Sequence, residues 1–327
     1  MKDLFAVVML SGIYGLLSAS FFVVMDAVDV AFTEASVGAG ISTLLMLTTI
    51  TMVGRQEETE RHKPILALVT VFITGALLVY GTLDMPYFGS KEAPANLHVA
   101  PHFINDSMKE VGVPNMVTAV LASYRGFDTF GEVAVIFTAG VGVLALLSVV
   151  RRPEDDAEIE AVNDSMHQQH LILRVLIKIL IPFIFLFAFY VQFHGDYGPG
   201  GGFQAGVIFA AAIILYAMLF GLSTARRVIN QSLIQFLSAA GVLVYGCVGL
   251  VSILSGGNFL DYNVLLSDPI SGQHLGILLI ELGVGITVAS VMILIFFNFA
   301  GRKDGRPNDY CNQVNNSDIN IETRGSK

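Results

Sequence analysis

His194-Gly195-Asp196-Tyr197-Gly198-Pro199-Gly200-Gly201-Gly202-Phe203 stands between two long apolar runs, 171–193 and 203–222. Each run has the roughly 20 residues that a helix needs to cross about 30 Å of hydrocarbon. One proline and three consecutive glycines between them allow only a tight reversal of the backbone. The unit is therefore a helix, a turn and a second helix, all held in a membrane. The turn's amides and carbonyls are expected to stand unshielded. With His194 and Asp196 beside them, they suit contact with an ion or a partner protein of the same complex.

Outward from this unit the same pattern repeats. Further apolar runs lie at 4–25, 30–53, 64–83, 128–150, 232–254 and 274–300. The expected fold is all-α, a polytopic membrane protein with about eight transmembrane helices. Composition agrees: 54% of residues are apolar or aromatic and 14% charged, where a soluble domain carries about 25% charged residues. Mean hydropathy is +0.67.

The positive charges predict the orientation. If the chain alternates sides from a cytoplasmic start, fifteen Lys and Arg fall inside and only Lys91, Lys109 and Arg125 fall outside. Both termini are expected in the cytoplasm, in a multi-pass protein of the cell inner membrane. Ser18-Ala19-Ser20 mimics a signal cleavage site, but the apolar run continues to Met25, so the first span is expected to stay. Cys247 in a span and Cys311 in the tail predict no disulfide. The net charge of −9 comes with no basic patch, which argues against nucleic acid.

Five segments follow. A three-helix block covers 1–84. Residues 85–150 hold an outer loop, a short interfacial segment at 114–124 with a break at Gly126, and one span. A charged cytoplasmic linker fills 151–169, a four-helix block 170–302, and a disordered, Asn-rich cytoplasmic tail 303–327.

Carboxylates in apolar spans are the main chemical signal, because each costs several kcal/mol unless paired or solvated. Glu34, Glu132 and Glu281 are of this kind, with Asp26 and Asp29 just ahead of Glu34. Counted from 274, Glu281 lies roughly 10 Å into its helix. Ala31, Ala35, Gly38 and Ser42 form a small-residue stripe suited to close helix packing, with Glu34 on its flank about 60° away. Gly285 and Ala289 share a side with Glu281, and Gly283, Thr287 and Ser290 lie opposite. This last helix should be surrounded by others.

Each acid has a plainer alternative. Glu34, Asp26 and Asp29 could form a solvated helix start, Glu281 could bond a neighbouring helix, and Glu132 could pair with Arg125. His194 and Asp196 could simply brace the turn, and Lys178 could snorkel. Pro199, Gly200, Gly201 and Gly202 lack the Lys-Ser/Thr of a nucleotide loop. No metal-ligand spacing and no nucleophile with its base stand out, so no metal, no cofactor and no enzymatic reaction are expected.

The segment from Asp29 to Gly40 resembles the signature of the C-terminal membrane domain of the large A subunit in Mrp-type multisubunit Na+/H+ antiporters. Tyr124-Arg125-Gly126-Phe127-Asp128-Thr129-Phe130-Gly131-Glu132 resembles the segment that ends the same protein. Both occur as separate small subunits in membrane-bound hydrogenases. His194 to Gly206 resembles the glycine-rich motif of the antiporters' B subunit, and Glu281 to Val288 resembles its last helix. The resemblance covers about nine-tenths of the chain. It implies a fusion of the A subunit's C-terminal region with the B subunit, helping to form the sodium pathway or the scaffold between proton-channel modules. It carries ion-pathway roles to Glu34, Asp128, Glu132 and Glu281. The implied partners are proton-channel subunits related to respiratory complex I, small membrane subunits, Na+, H+ and the lipid bilayer. The long proton-channel portion of the A subunit is not among these residues, so the chain is not expected to exchange ions alone. The alternative implied is a membrane-arm scaffold in a hydrogenase or other redox complex.

Overall fold

A computed structural model of the chain describes residues 2–57, 64–87, 89–147 and 171–301. The expected linker at 151–169 and tail at 303–327 lie outside the described residues. Among those residues all regular structure is helical, apart from one isolated bridge between Asp3 and Gln56.

Helix α1 spans Leu4–Val24. Helix α2, 28–53, is Val28–Glu34, a π-helical turn Ala35–Ile41, and Ser42–Val53. Helix α3 is Pro64–Thr82. Helix α4, 95–110, opens with the π turn Ala95–Val99 and continues as Ala100–Glu110. Helix α5, 116–124, joins Met116–Thr118 to the π turn Ala119–Tyr124. There follow α6 (Gly126–Leu147), α7 (Leu171–His194), α8 (Gly202–Phe220), α9 (Leu222–Val228), α10 (Gln231–Leu254) and α11 (Pro269–Ala300). Eight of these are long and apolar enough to cross a membrane.

The helices start where short polar side chains can take up free amides. Asp3 accepts from Phe5 N at 3.0 Å, and Asp268 from Ser271 N at 3.0 Å with Pro269 next in line. Asp3 also holds Arg55, whose Nε lies 3.0 Å away, which ties the start of α1 to the end of α2. At the start of α7, Arg174 and Lys178 both lie over the Phe220 ring, 5.2 and 5.3 Å from its centroid.

Three expectations are corrected. The last span begins at Pro269, so Glu281 lies twelve residues along its helix, about 18 Å at 1.5 Å per residue. Residues 95–110 are helical within the expected loop. Within the expected interfacial segment, 116–124 is helical and has Thr118, Ala119 and Ala122 buried against the protein. The break falls at Arg125, whose φ and ψ are −118° and 29°, and Gly126 starts the next helix.

Helix α11 is the axis of the fold, packed on α6, α8 and α10. Its two small-residue faces explain this. A Cβ built on Gly206 of α8 would sit 2.7 Å from the Gly285 carbonyl oxygen, and one on Gly283 would sit 2.7 Å from that of Gly241 in α10. In lipid, helices associate by such close packing because hydrocarbon is as apolar as their side chains.

The span ends sort into two sets. One set gathers the start of α1, the end of α2 and α9, with Lys2, Arg55, Arg226 and Arg227. The other gathers the start of α2, helices α4 and α5, the start of α6, the glycine-rich turn and the start of α11.

Candidate functional site

The glycine-rich turn closes over Glu281. A Cβ on Gly201 would lie 3.0 Å from Glu281 Oε1, one on Gly195 would lie 3.1 Å from Oε2, and one on Gly202 would strike the Glu281 carbonyl. Gly201 has φ 110° and ψ −179°, a conformation essentially restricted to glycine. The glycines therefore make room for a carboxylate. Helix α8 begins at Gly202, so its amide end, favourable to negative charge, lies beside this carboxylate.

The turn's own polar groups are largely taken, contrary to the expectation that they stand open. Asn115 Nδ2 donates to the carbonyls of Gly195 (3.1 Å) and Gly198 (3.0 Å), and Asn115 N donates to that of Asp196 (3.0 Å). Thr118 Oγ1 donates to Gly195 O at 2.7 Å. Gly200 N donates to Asp29 Oδ1 at 3.2 Å, and Gly201 N to Val191 O at 3.0 Å. Burial explains this, since an unpaired backbone group away from water is costly. Asn115 also caps α5, accepting from Val117 N at 3.0 Å.

Beneath the turn lies a cavity of about 600 Å³ walled by α2, α5, α6, α8 and α11. Asp29, Glu132 and Glu281 line it, with Thr33, Thr118, Thr129 and Gln204. The three hydroxyls spend their protons on backbone carbonyls, those of Asp29, Gly195 and Leu121. Gln204 Nε2 donates to Thr33 Oγ1 at 2.8 Å. What the carboxylate and hydroxyl side chains can offer the cavity is oxygen lone pairs, the ligand type for a cation or a water proton. Among the described residues no three His, Cys, Asp or Glu side chains gather closely enough to hold a metal ion. The acids share a space without sharing a coordination point.

Of the sequence-predicted residues, Glu132 and Glu281 face this cavity together, and Asp29 joins them. Glu34 does not. Its carboxylate lies over Gly38 in the α1–α2 crossing, where a Cβ on Gly15 would be 2.9 Å from the Gly38 carbonyl carbon. The π turn after Glu34 changes the helix phase on which the 60° offset was reckoned. Asp128 is exposed and takes Arg125, with Nε to Oδ2 at 2.6 Å. That pairing occupies the cation that the plainer alternative gave to Glu132. Asp26 is exposed in the turn after α1, at φ 61°. His194 stacks on Tyr190 with centroids 4.9 Å apart, and Asp196 Oδ2 lies 3.2 Å from His274 Nδ1. Pro199 is exposed on the rim, while Gly200, Gly201 and Gly202 line the cavity.

The sequence reading missed Asn115, Thr118 and His274. Asn115 had a usable signal, a capping residue just ahead of an apolar segment. Near the site, burial pushes the Tyr262 phenol well above its ordinary range, and its hydroxyl donates to Ala122 O at 3.1 Å. Burial, then the bond to Glu110, raises the Tyr124 phenol likewise.

Residues 172–294 match the family described as a domain related to the MnhB subunit of Na+/H+ antiporters. Residues 1–55 match the D subunit of MBH, and residues 61–164 match its E subunit. A probable A/B subunit of a K+/H+ antiporter from Rhizobium meliloti (strain 1021) is 27% identical over 90% of this chain, which spans 32% of that relative. A putative antiporter subunit mnhB2 of Staphylococcus haemolyticus (strain JCSC1435) is 32% identical over 42% of this chain and 99% of its own length. Among solved structures, a chain of the Mrp complex from Dietzia sp. DQ12-45-1b shares the fold with TM-score 0.69 and 24% identity, covering 94% of this chain and 33% of that one. A chain of the membrane-bound sulfane sulfur reductase, an archaeal respiratory membrane complex, has TM-score 0.51 and 28% identity, covering 72% of this chain and 97% of that one.

Proposed function

This chain belongs to the family of Mrp-type antiporter subunits, joining the C-terminal region of the A subunit to the B subunit, and we propose that it serves as a membrane subunit of a multisubunit cation/proton antiporter. It acts there as a transport component rather than an enzyme, beside proton-channel subunits in the cell inner membrane. The cavity under the glycine-rich turn is part of the cation route.

One observation carries this reading: Asp29, Glu132 and Glu281 line a single cavity whose carboxylate and hydroxyl side chains present acceptor oxygens. In surroundings of low dielectric such carboxylates draw a cation in strongly. Because they do not converge, a hydrated ion is passed from one to the next rather than trapped. Each carboxylate can hold a proton or face a cation, which is the competition an exchanger needs. Glu34 and Asp128 stand aside from this route.

The test is Glu281→Gln and Glu132→Gln in the assembled complex, read as cation-dependent dissipation of a pH gradient in everted vesicles. Both are expected to slow exchange at least roughly tenfold, a loss of about 1.4 kcal/mol, with assembly on native gels unchanged. Asp128→Asn serves as the comparison and keeps near-normal exchange. Normal exchange in Glu281→Gln refutes the route.

The second reading, a scaffold in the membrane arm of a redox complex, is favoured by the likeness to the sulfane sulfur reductase chain, nearly all of which is covered. On that reading redox subunits copurify with the chain, and cation-dependent dissipation is absent in the wild-type complex too.

A further inference from the structure

We propose that α4, residues 95–110, is a membrane-surface helix whose free apolar sector inserts into the lipid headgroup–acyl boundary at the glycine-turn end of the bundle. The sequence of α4 divides its circumference into three. Phe103, Ser107 and the following Val111 turn toward the protein, where Ser107 and Val111 are buried. Leu97, Pro101, Ile104 and Met108 recur at i, i+4, i+7 and i+11, a single helical stripe. They are free of the body, with Leu97 66% and Ile104 65% exposed. His102, Asn105 and Lys109, exposed, and Asp106, half-buried, fill the remaining arc. The apolar stripe borders the protein-facing sector, as it must if lipid continues where protein stops.

Three attachments fix the level of α4. The Phe103 and Tyr124 rings meet at 4.9 Å, Glu110 accepts the Tyr124 hydroxyl, and a Cβ on Gly112 would press on Ile270 at the start of α11. All three sit where the spans end. At that same end Phe127 and Tyr197 are strongly exposed, and exposed aromatic rings of this kind mark the membrane–water interface. The stripe thus stands at the level where the spans end. The charges of the polar arc mostly answer one another: Asp106 lies 3.4 Å from His102 and 3.5 Å from Lys109. With two acids to one lysine in 100–110, the helix is held by apolar insertion and not by attraction to anionic lipid.

The chain contains no tryptophan, so one introduced residue reports alone. Ile104→Trp and Leu97→Trp, in the full chain reconstituted into phosphatidylcholine vesicles, are expected to be quenched by lipids brominated near the carbonyl end. Quenching by methyl-end bromines should be weaker, consistent with an apolar face about 5–10 Å below the headgroups. Asn105→Trp should instead be quenched by aqueous iodide. In the assembled complex, benzoylphenylalanine at position 104 should yield a phospholipid adduct. Iodide quenching at 104 and 97 equal to that at 105 overturns the proposal, and so does a crosslink from 104 to another subunit. Loss of ion exchange in the Glu281 variants bears on the cavity alone and leaves this result independent.

Discussion

Gly201→Ala tests the link between the glycine-rich turn and Glu281 most directly. The backbone there, at φ 110° and ψ −179°, costs a non-glycine residue about 1–3 kcal/mol. The new methyl group would also stand 3.0 Å from Glu281 Oε1, so the carboxylate must move by a few tenths of an ångström or the turn must reopen. Gly256 offers a control, with φ 92° and nothing within 4 Å of its would-be Cβ. Gly256→Ala should therefore show backbone strain alone. About 2 kcal/mol of strain corresponds to a fall of roughly 3 °C in the unfolding midpoint of a chain this long. Gly201→Ala should match or exceed that fall and should also impair exchange, whereas Gly256→Ala should leave exchange unchanged. In Gly201→Ala/Glu281→Ala the crowded oxygen is gone, so the double variant should lose less stability than the two single losses added together. Measured by thermal unfolding in detergent and by vesicle exchange, strict additivity with normal exchange in Gly201→Ala would refute the proposed cradle.

Three further outcomes follow from the same geometry. Asn115→Ala removes bonds to two turn carbonyls and the α5 cap; at about 1 kcal/mol for each net hydrogen bond, denaturant unfolding should register a loss of roughly 2–4 kcal/mol. Gly206→Ala places a methyl 2.7 Å from the Gly285 carbonyl oxygen and should cost about 1–3 kcal/mol by overpacking, whereas Gly142→Ala, with open space around it, should be neutral or slightly stabilising. The bonds from Ser271, side chain first and then backbone, hold the Asp268 carboxyl below its ordinary range. Its contribution to stability is therefore present above the ordinary carboxylate range and lost as pH falls through the lowered value, and Asp268→Ala should flatten that acid limb of the unfolding midpoint against pH.

Much of the architecture could be read from hydropathy, because unbroken apolar runs have few other uses. Where polarity returns, the reading faltered. Ser271, Gly272 and Gln273 hid the first turn of α11, although Asp268 followed by Pro269 is a helix start in capping terms. Residues 95–110 looked like a loop because half of α4 faces water, yet the 97, 101, 104, 108 spacing was there to be counted. The π turns in α2 and α5 left no composition signature. At the site, Glu132 and Glu281 stood out because acids in apolar helices demand a reason. Asn115 and Thr118 bond a turn some eighty residues away in sequence, and such partners become visible only once the chain has folded.

Helix α6 ends at Leu147 and α7 begins at Leu171, both away from the end of the bundle that holds the cavity. Helices from both halves nevertheless wall that cavity. The covalent joint thus sets stoichiometry and raises effective concentration, while complementary surfaces set the geometry. Two polypeptides cut at this seam would between them retain every residue that lines the chamber.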